Sequence, residues 1–164
     1  MNLDHTTLLL SAVMHTDLSR TIRESTWAVM AFEAVHLIGL TLLGGPAILI
    51  GLAALRRDGL RGLSVPTLTA ALLPVLWVGL LLMALSGALI TVSMPFKYYN
   101  NMAFRWKMVL LVLALATTAA LLRSSRPAVV ATFPAGGARL RALAISALLL
   151  WFGVGFSGRL IGFL

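Results

Sequence analysis

The chain has 164 residues, of which 60% are hydrophobic and 11% are charged. Soluble domains average about 45–50% apolar and about 25% charged residues, so this composition excludes an ordinary soluble domain. Its formal charge of +8 at pH 7 comes from basic residues placed singly or in small groups between apolar runs, without the continuous basic stripe of a nucleic-acid-binding protein. The absence of cysteine excludes disulfides, thiolate metal sites and covalently attached c-type haem.

The first segment, residues 1–26, is too short and too polar to cross a bilayer. A brief apolar patch at residues 8–14 is followed by polar and charged side chains up to residue 24. We expect a short helix that lies in the membrane interface and leads into the first span. It lacks the basic beginning of a signal peptide, so we expect it to be retained.

Four apolar runs follow, at about residues 27–55, 67–93, 102–122 and 140–164. Each is long enough to cross the roughly 30 Å hydrocarbon core as a helix. The sequence therefore predicts an all-α fold, an integral membrane four-helix bundle that occupies residues 27–164. Glycines within the first run allow neighbouring helices to approach closely, which favours a homo-oligomer or a place in a larger membrane complex.

The distribution of basic residues predicts how the bundle crosses the membrane. The first and third connections contain seven arginines opposed by Asp58 alone: Arg56, Arg57, Arg61, Arg123, Arg126, Arg139 and Arg141. The N-terminal segment is nearly neutral. The positive-inside rule places both basic connections in the cytoplasm and both termini outside, on the periplasmic side of a bacterial inner membrane.

Ionisable residues inside the predicted spans mark a candidate site. Glu33 and His36 lie three residues apart, on one face of the first span, about 9 and 13 Å from its start. Lys107 and Arg159 lie about 7 Å inside the same end of the bundle. Such groups are costly in a membrane and indicate function by default. We therefore predict a polar pocket around His36 in the outer leaflet.

The first hypothesis for this pocket is a b-type haem with His36 as axial ligand and Glu33 as its orienting partner, because imidazole suits haem iron and bundle cores hold such cofactors. Basic residues at the same end would neutralise the haem propionates: Lys107, Arg105 and Arg159. The second axial ligand would come from a methionine, from His36 of a second copy, or from His5 or His15.

Three other interpretations remain open. A quinone in the pocket would exchange protons and hydrogen bonds with His36 and Glu33. Copper would use His36 together with methionine thioethers: Met14, Met30, Met83, Met94 and Met102. In a purely architectural subunit, Glu33 and Arg159 would form a packing salt bridge while Lys107 and Arg105 extend to the interface.

No soluble-enzyme motif is present, so we expect binding without catalysis.

Several short motifs resemble those of a known group of proteins. They are Glu33-Ala-Val-His-Leu-Ile-Gly39, Pro95-Phe-Lys-Tyr-Tyr-Asn100, Phe104-Arg-Trp-Lys-Met108 and Gly158-Arg-Leu-Ile-Gly-Phe163. From about residue 21 onward the chain resembles small bacterial four-helix inner-membrane proteins known only as a domain of unknown function. The resemblance implies four spans and draws attention to His36, Lys107 and Arg159. The start of the third helix is more distantly similar to the CopD-type copper-resistance membrane domain.

Overall fold

A computed structural model describes residues 5–56, 60, 62–125 and 138–160. Within these ranges all the regular secondary structure is helical, which confirms the predicted all-α fold. The helices are α1 (His5–Met14), α2 (Asp17–Glu24), α3 (Thr26–Leu55), α4 (Val65–Ser93), α5 (Pro95–Tyr99), α6 (Met102–Ser124) and α7 (Ala138–Leu160).

Four of these helices, α3, α4, α6 and α7, are long and apolar enough to cross a membrane. Their ends fall within two residues of the predicted ones, apart from residues 161–164, which lie outside the described ranges. The start of α4 precedes its apolar run because the side chain of Ser64 caps the backbone N–H of Thr67 at 3.4 Å. The basic residues Arg57, Arg61 and Arg126 also lie outside the described ranges.

The N-terminal segment forms two helices instead of the one expected. Thr16 ends the first and caps the second, since its hydroxyl accepts a hydrogen bond from the backbone N–H of Ser19 at 3.3 Å. Ser19 is fully buried, and its own hydroxyl donates to the carbonyl of Val92 at 2.9 Å. This bond holds α2 on the last turn of α4, while α1 packs against α4 and α5.

The spanning helices pack in the order α4, α3, α7, α6. Half of the most apolar stretch of α3 is buried, against 22% in α4, 17% in α6 and 28% in α7, so α3 is the central helix. Within the described ranges α4 and α6, which are joined through α5, do not pack extensively against each other. The four helices therefore form an arrangement that is less closed than a regular four-helix bundle.

Two glycines set the distance between α3 and α4. A Cβ added at Gly39 would lie 2.7 Å from the backbone nitrogen of Met83, and one added at Gly79 would lie 2.5 Å from that of Leu43. Only residues without a side chain permit so close a backbone approach. As α3 runs from Gly39 to Leu43, its contacts on α4 run from Met83 back to Gly79, so the two helices are antiparallel.

The same antiparallel relation holds between α3 and α7 and between α6 and α7, where Trp151 Nε1 donates to the hydroxyl of Thr118 at 2.9 Å. The bundle therefore has two distinct ends. We call the end where α3 and α6 begin the His36 end, and the end where they finish the arginine end.

Candidate functional site

His36 lies on α3 one turn from Gly39, where the close helix approach brings its ring against α4. Its Nδ1 lies 3.1 Å from the carbonyl oxygen of Met83 and 3.1 Å from the hydroxyl oxygen of Ser86. Met83 and Ser86 are both buried. The ring is thus fixed by two groups of the neighbouring helix, and both groups depend on the distance that Gly39 and Gly79 allow.

The partners of Nδ1 determine which ring nitrogen carries the hydrogen. A carbonyl oxygen can only accept, and the Ser86 hydroxyl donates its own hydrogen to the carbonyl of Leu82. Nδ1 is therefore the donor, and the neutral imidazole keeps its lone pair on Nε2. Within the described residues Nε2 has no hydrogen-bond partner, so it is the atom of this site that can bind a metal centre or accept a proton.

Gly87 provides the space that the imidazole occupies. A Cβ at this position would lie 3.0 Å from Cε1 of His36 and 3.3 Å from Nδ1. An alanine would therefore force the ring to move, and with it the direction in which Nε2 points.

Lys107 of α6 lies at the same end of the bundle as His36, packed against α7. Its half-buried side chain crosses Gly158 of α7, where an added Cβ would lie 3.7 Å from both Cε and Nζ. The ammonium group is also near enough to His36 for the two to interact electrostatically. The structure thus brings together His36 of α3, Ser86 of α4, Lys107 of α6 and Gly158 of α7 at the His36 end.

Glu33 shares the face of His36 but has a different neighbour. Its side chain is exposed, and the described partners of the His36 Nδ1 are Ser86 and Met83, so Glu33 is not the group that orients the ring. Its charge acts instead on Tyr98, in the connection between α4 and α6. Burial, reinforced by the Glu33 charge, raises the pKa of the Tyr98 hydroxyl above its ordinary value.

Arg105 and Arg159 lie at the same end, and both are exposed. Arg105 is directed toward the connection, because its Nε donates to the carbonyl of Tyr99 at 3.2 Å and its guanidinium lies 5.3 Å from the centre of the Tyr99 ring. This geometry suits a residue at the membrane interface. Arg159 directly follows Gly158, the residue that Lys107 crosses.

Sequence reasoning does not identify Gly87 or the carbonyl of Met83 as parts of the site, and it includes Gly158 only as part of a motif. A backbone carbonyl cannot be recognised from the residue type. A glycine in a membrane helix indicates close packing, but it does not indicate which residue of the neighbouring helix packs against it. The Ser86-Gly87 pair was the available clue, since a small polar residue beside a glycine leaves room for a large polar group from a neighbouring helix.

Within the described ranges no group of three or more histidine, aspartate or glutamate side chains could hold a metal ion. A shallow apolar cleft of about 510 Å³ lies between α3 and α7, and none of the five predicted site residues lines it. Its lining residues are Ile48, Leu148, Trp151, Phe152, Gly155 and Phe156.

Fold and site together define a helical membrane protein with a histidine-centred polar site at one end of its spanning helices. The chain belongs to the family of unknown function DUF6644, whose model matches residues 20–164. The expected membership of a family without an assigned function is thereby confirmed. No curated protein and no solved structure matches the chain.

Proposed function

We propose that this protein is a cofactor-binding subunit of a membrane redox system and that it binds b-type haem through Nε2 of His36. The observation that supports this proposal is the hydrogen bonding of Nδ1, which leaves the lone pair on Nε2. Histidines that bind metals commonly donate their other ring N–H to a carbonyl or a comparable acceptor, which fixes the ring and raises the basicity of the ligating nitrogen.

The basic side chains at the His36 end would hold the anionic edge of the cofactor. Lys107 lies within electrostatic range of His36, and Arg159 follows the glycine that Lys107 crosses, so both suit haem propionates. The connection holds Arg105 against Tyr99, which makes it a weaker candidate for this role. The second axial ligand would be a methionine, His5, His15 or His36 of a second copy.

The test is a pair of visible spectra, oxidised and dithionite-reduced, of the full chain purified from cells supplied with a haem precursor. We expect a Soret band and sharp reduced α and β bands in the wild type and their loss in His36→Ala. His5→Ala and His15→Ala are the comparison variants, and a changed spectrum in either one would identify the second ligand.

Imidazole added to His36→Ala separates ligation from misfolding. If His36 is the ligand, free imidazole should restore a wild-type-like spectrum, whereas a misfolded variant would not respond. A wild type without haem absorbance, or a His36→Ala spectrum identical to that of the wild type, would overturn the proposal.

A quinone is the second candidate, and the position of Lys107 favours it. Nε2 of His36 can accept a hydrogen bond from a quinol hydroxyl, while the Lys107 ammonium can donate one to a quinone carbonyl. Since α4 and α6 do not pack extensively against each other in the described ranges, a ligand dissolved in the bilayer would enter between them.

Organic extraction of the purified protein followed by mass spectrometry tests this candidate. We expect a stoichiometric quinone in the wild type, its loss in Lys107→Ala and its retention in Lys97→Ala, since Lys97 is an exposed lysine of α5. A wild type free of quinone, or equal loss in both variants, would contradict it.

We also propose that the protein lies in a bacterial inner membrane with its arginine end in the cytoplasm. The seven arginines in the first and third connections support this orientation. The similarity of the third helix to the CopD-type domain keeps copper handling as an alternative, although no group of three or more histidine, aspartate or glutamate side chains in the described ranges could hold a metal ion. A purely architectural role is the alternative if no ligand is found.

A further inference from the structure

The arginine end carries a cluster of positive charge that the proposed function does not use. Arg56 follows α3, Arg123 lies in the last turn of α6, and the first turn of α7 contains Arg139 and Arg141. Because α3 and α6 both pack against α7 in antiparallel fashion, these four side chains lie at the same end of the protein.

No acidic side chain in the described ranges neutralises this cluster. Asp17, Glu24 and Glu33 all lie at the His36 end, and Glu24 is paired there with Arg20. Arg141 is the most constrained member of the cluster, since its Nε is buried and has no hydrogen-bond partner in the described part of the chain. A buried donor of this kind is costly until an acceptor reaches it.

The position of these arginines relative to the helix dipoles differs. Arg56 and Arg123 lie at helix C-termini, where positive charge is favourable. Arg139 and Arg141 lie at a helix N-terminus that has no acidic residue in its first turn, so their charges add to the positive end of the dipole. Both features make the start of α7 a place where an anion is stabilised.

The depth of Arg141 indicates which anion this is. The residue lies about 4.5 Å along α7 from its start, between Leu140 and Leu143, which both pack against the apolar core. Because α7 is long and apolar enough to span a membrane from Ala138 onward, we infer that this level lies near the boundary between hydrocarbon and headgroups, where the phosphates of lipids lie. A guanidinium can bind such a phosphate through two parallel hydrogen bonds.

We propose that the arginine end is a binding site for the phosphate of an anionic phospholipid, held by Arg141 together with Arg139. Arg141 as a whole is partly exposed, so its guanidinium can turn toward a lipid phosphate, which supplies an acceptor and the negative charge that the first turn of α7 lacks. Arg56 and Arg123 contribute a longer-range attraction from the ends of the neighbouring helices.

The experiment is a lipid titration of the full chain in a neutral detergent, with the unfolding temperature and lipid retention in native mass spectrometry as readouts. The probes are phosphatidylglycerol, phosphatidylcholine and inorganic phosphate. We expect phosphatidylglycerol to raise the unfolding temperature and to remain bound, with little effect of the other two. Equal responses to both lipids, or full stabilisation by inorganic phosphate alone, would overturn the proposal.

Substitutions then locate the site. Arg139→Gln should weaken phosphatidylglycerol binding about fivefold, which is the effect of one basic charge near an anionic surface. Arg141→Gln should weaken it about tenfold, because it also removes the paired hydrogen bonds to the phosphate. Arg141→Lys keeps the charge but loses the paired hydrogen bonds, so its affinity for phosphatidylglycerol should lie between those of the wild type and Arg141→Gln. This variant keeps the test valid even if Arg141→Gln folds poorly. Arg20→Gln, which changes an exposed arginine of α2 at the His36 end, is the control. If Arg20→Gln and Arg139→Gln weaken binding equally, the site is not at the start of α7.

Discussion

The hydroxyl oxygen of Ser86 lies 3.1 Å from Nδ1 of His36, across the interface between α4 and α3. Because that hydroxyl donates its hydrogen to the carbonyl of Leu82, it can only accept from the ring. One buried serine thus contributes both to the position of the imidazole and to the choice of the nitrogen that keeps a lone pair. This relationship links the packing of two spanning helices to the chemistry proposed for His36.

Ser86→Ala should therefore weaken ligand binding without removing His36. The carbonyl of Met83 still accepts from Nδ1, so the ring loses one of two partners, and we expect about a tenfold loss of haem affinity, the lower part of the range for such supporting groups. Haem titration followed by the Soret band measures this. Ser93→Ala is the matched control, because the buried Ser93 hydroxyl bonds to Ile90 of its own helix. Equal affinities in the two variants would show that Ser86 does not support the site.

The close approach of α3 and α4 predicts a strong effect of very small substitutions. Gly39→Ala or Gly79→Ala places a methyl group within 2.7 Å of the opposite backbone and should lower the free energy of unfolding by about 1–3 kcal/mol. Gly45→Ala is the control, since an added Cβ there meets nothing within 4 Å and alanine is the better helix former. Unfolding by added SDS in mixed micelles provides the comparison. Equal stability of Gly39→Ala and Gly45→Ala would contradict the observed crossing.

The helices were predictable from sequence because membrane-spanning helices carry the strongest signal a chain can have. The lengths of the apolar runs predict the ends of α3 and α6 to within two residues. The predicted and observed ends differ where a capping side chain extends the helix beyond its apolar run, as Ser64 does at the start of α4. The division of the N-terminal segment into α1 and α2 depends on the Thr16 cap, a single hydrogen bond that hydrophobicity does not reveal.

The candidate site was predictable only in part. Ionisable residues in apolar runs stand out, so sequence alone points to His36 and Lys107, and the structure places both at the same end of the bundle within electrostatic range. Their partners were harder to predict, because the order in which helices pack is decided by small residues and by backbone groups. Glu33 was assigned to His36 by spacing along one helix, whereas the structure shows that the residue opposite on α4, Ser86, takes that position.

The hydrogen bond between Trp151 and Thr118 predicts a measurable coupling between α7 and α6. Trp151 Nε1 donates to the Thr118 hydroxyl at 2.9 Å, and both residues are buried. A double-mutant cycle with Trp151→Phe and Thr118→Val should give a coupling energy of about 0.6 kcal/mol, the average for such bonds between spanning helices. The unfolding free energies of the four proteins supply the value. A coupling indistinguishable from zero would mean that the bond is replaced equally well in the unfolded state within the micelle.

The neighbourhood of Glu33 predicts a change in the titration of Tyr98. Burial is the main reason that the pKa of Tyr98 is raised, and the negative charge of Glu33 adds to it because it disfavours the phenolate. Glu33→Gln should therefore lower this pKa partway toward its ordinary value, so that the phenolate forms at lower pH than in the parent protein. Alkaline titration of phenolate absorbance in a Tyr99→Phe background isolates the signal of Tyr98. Glu24→Gln, which removes a carboxylate paired with Arg20 on α2, should leave the titration unchanged. A midpoint that does not move in Glu33→Gln would place Glu33 too far from Tyr98 to act on it.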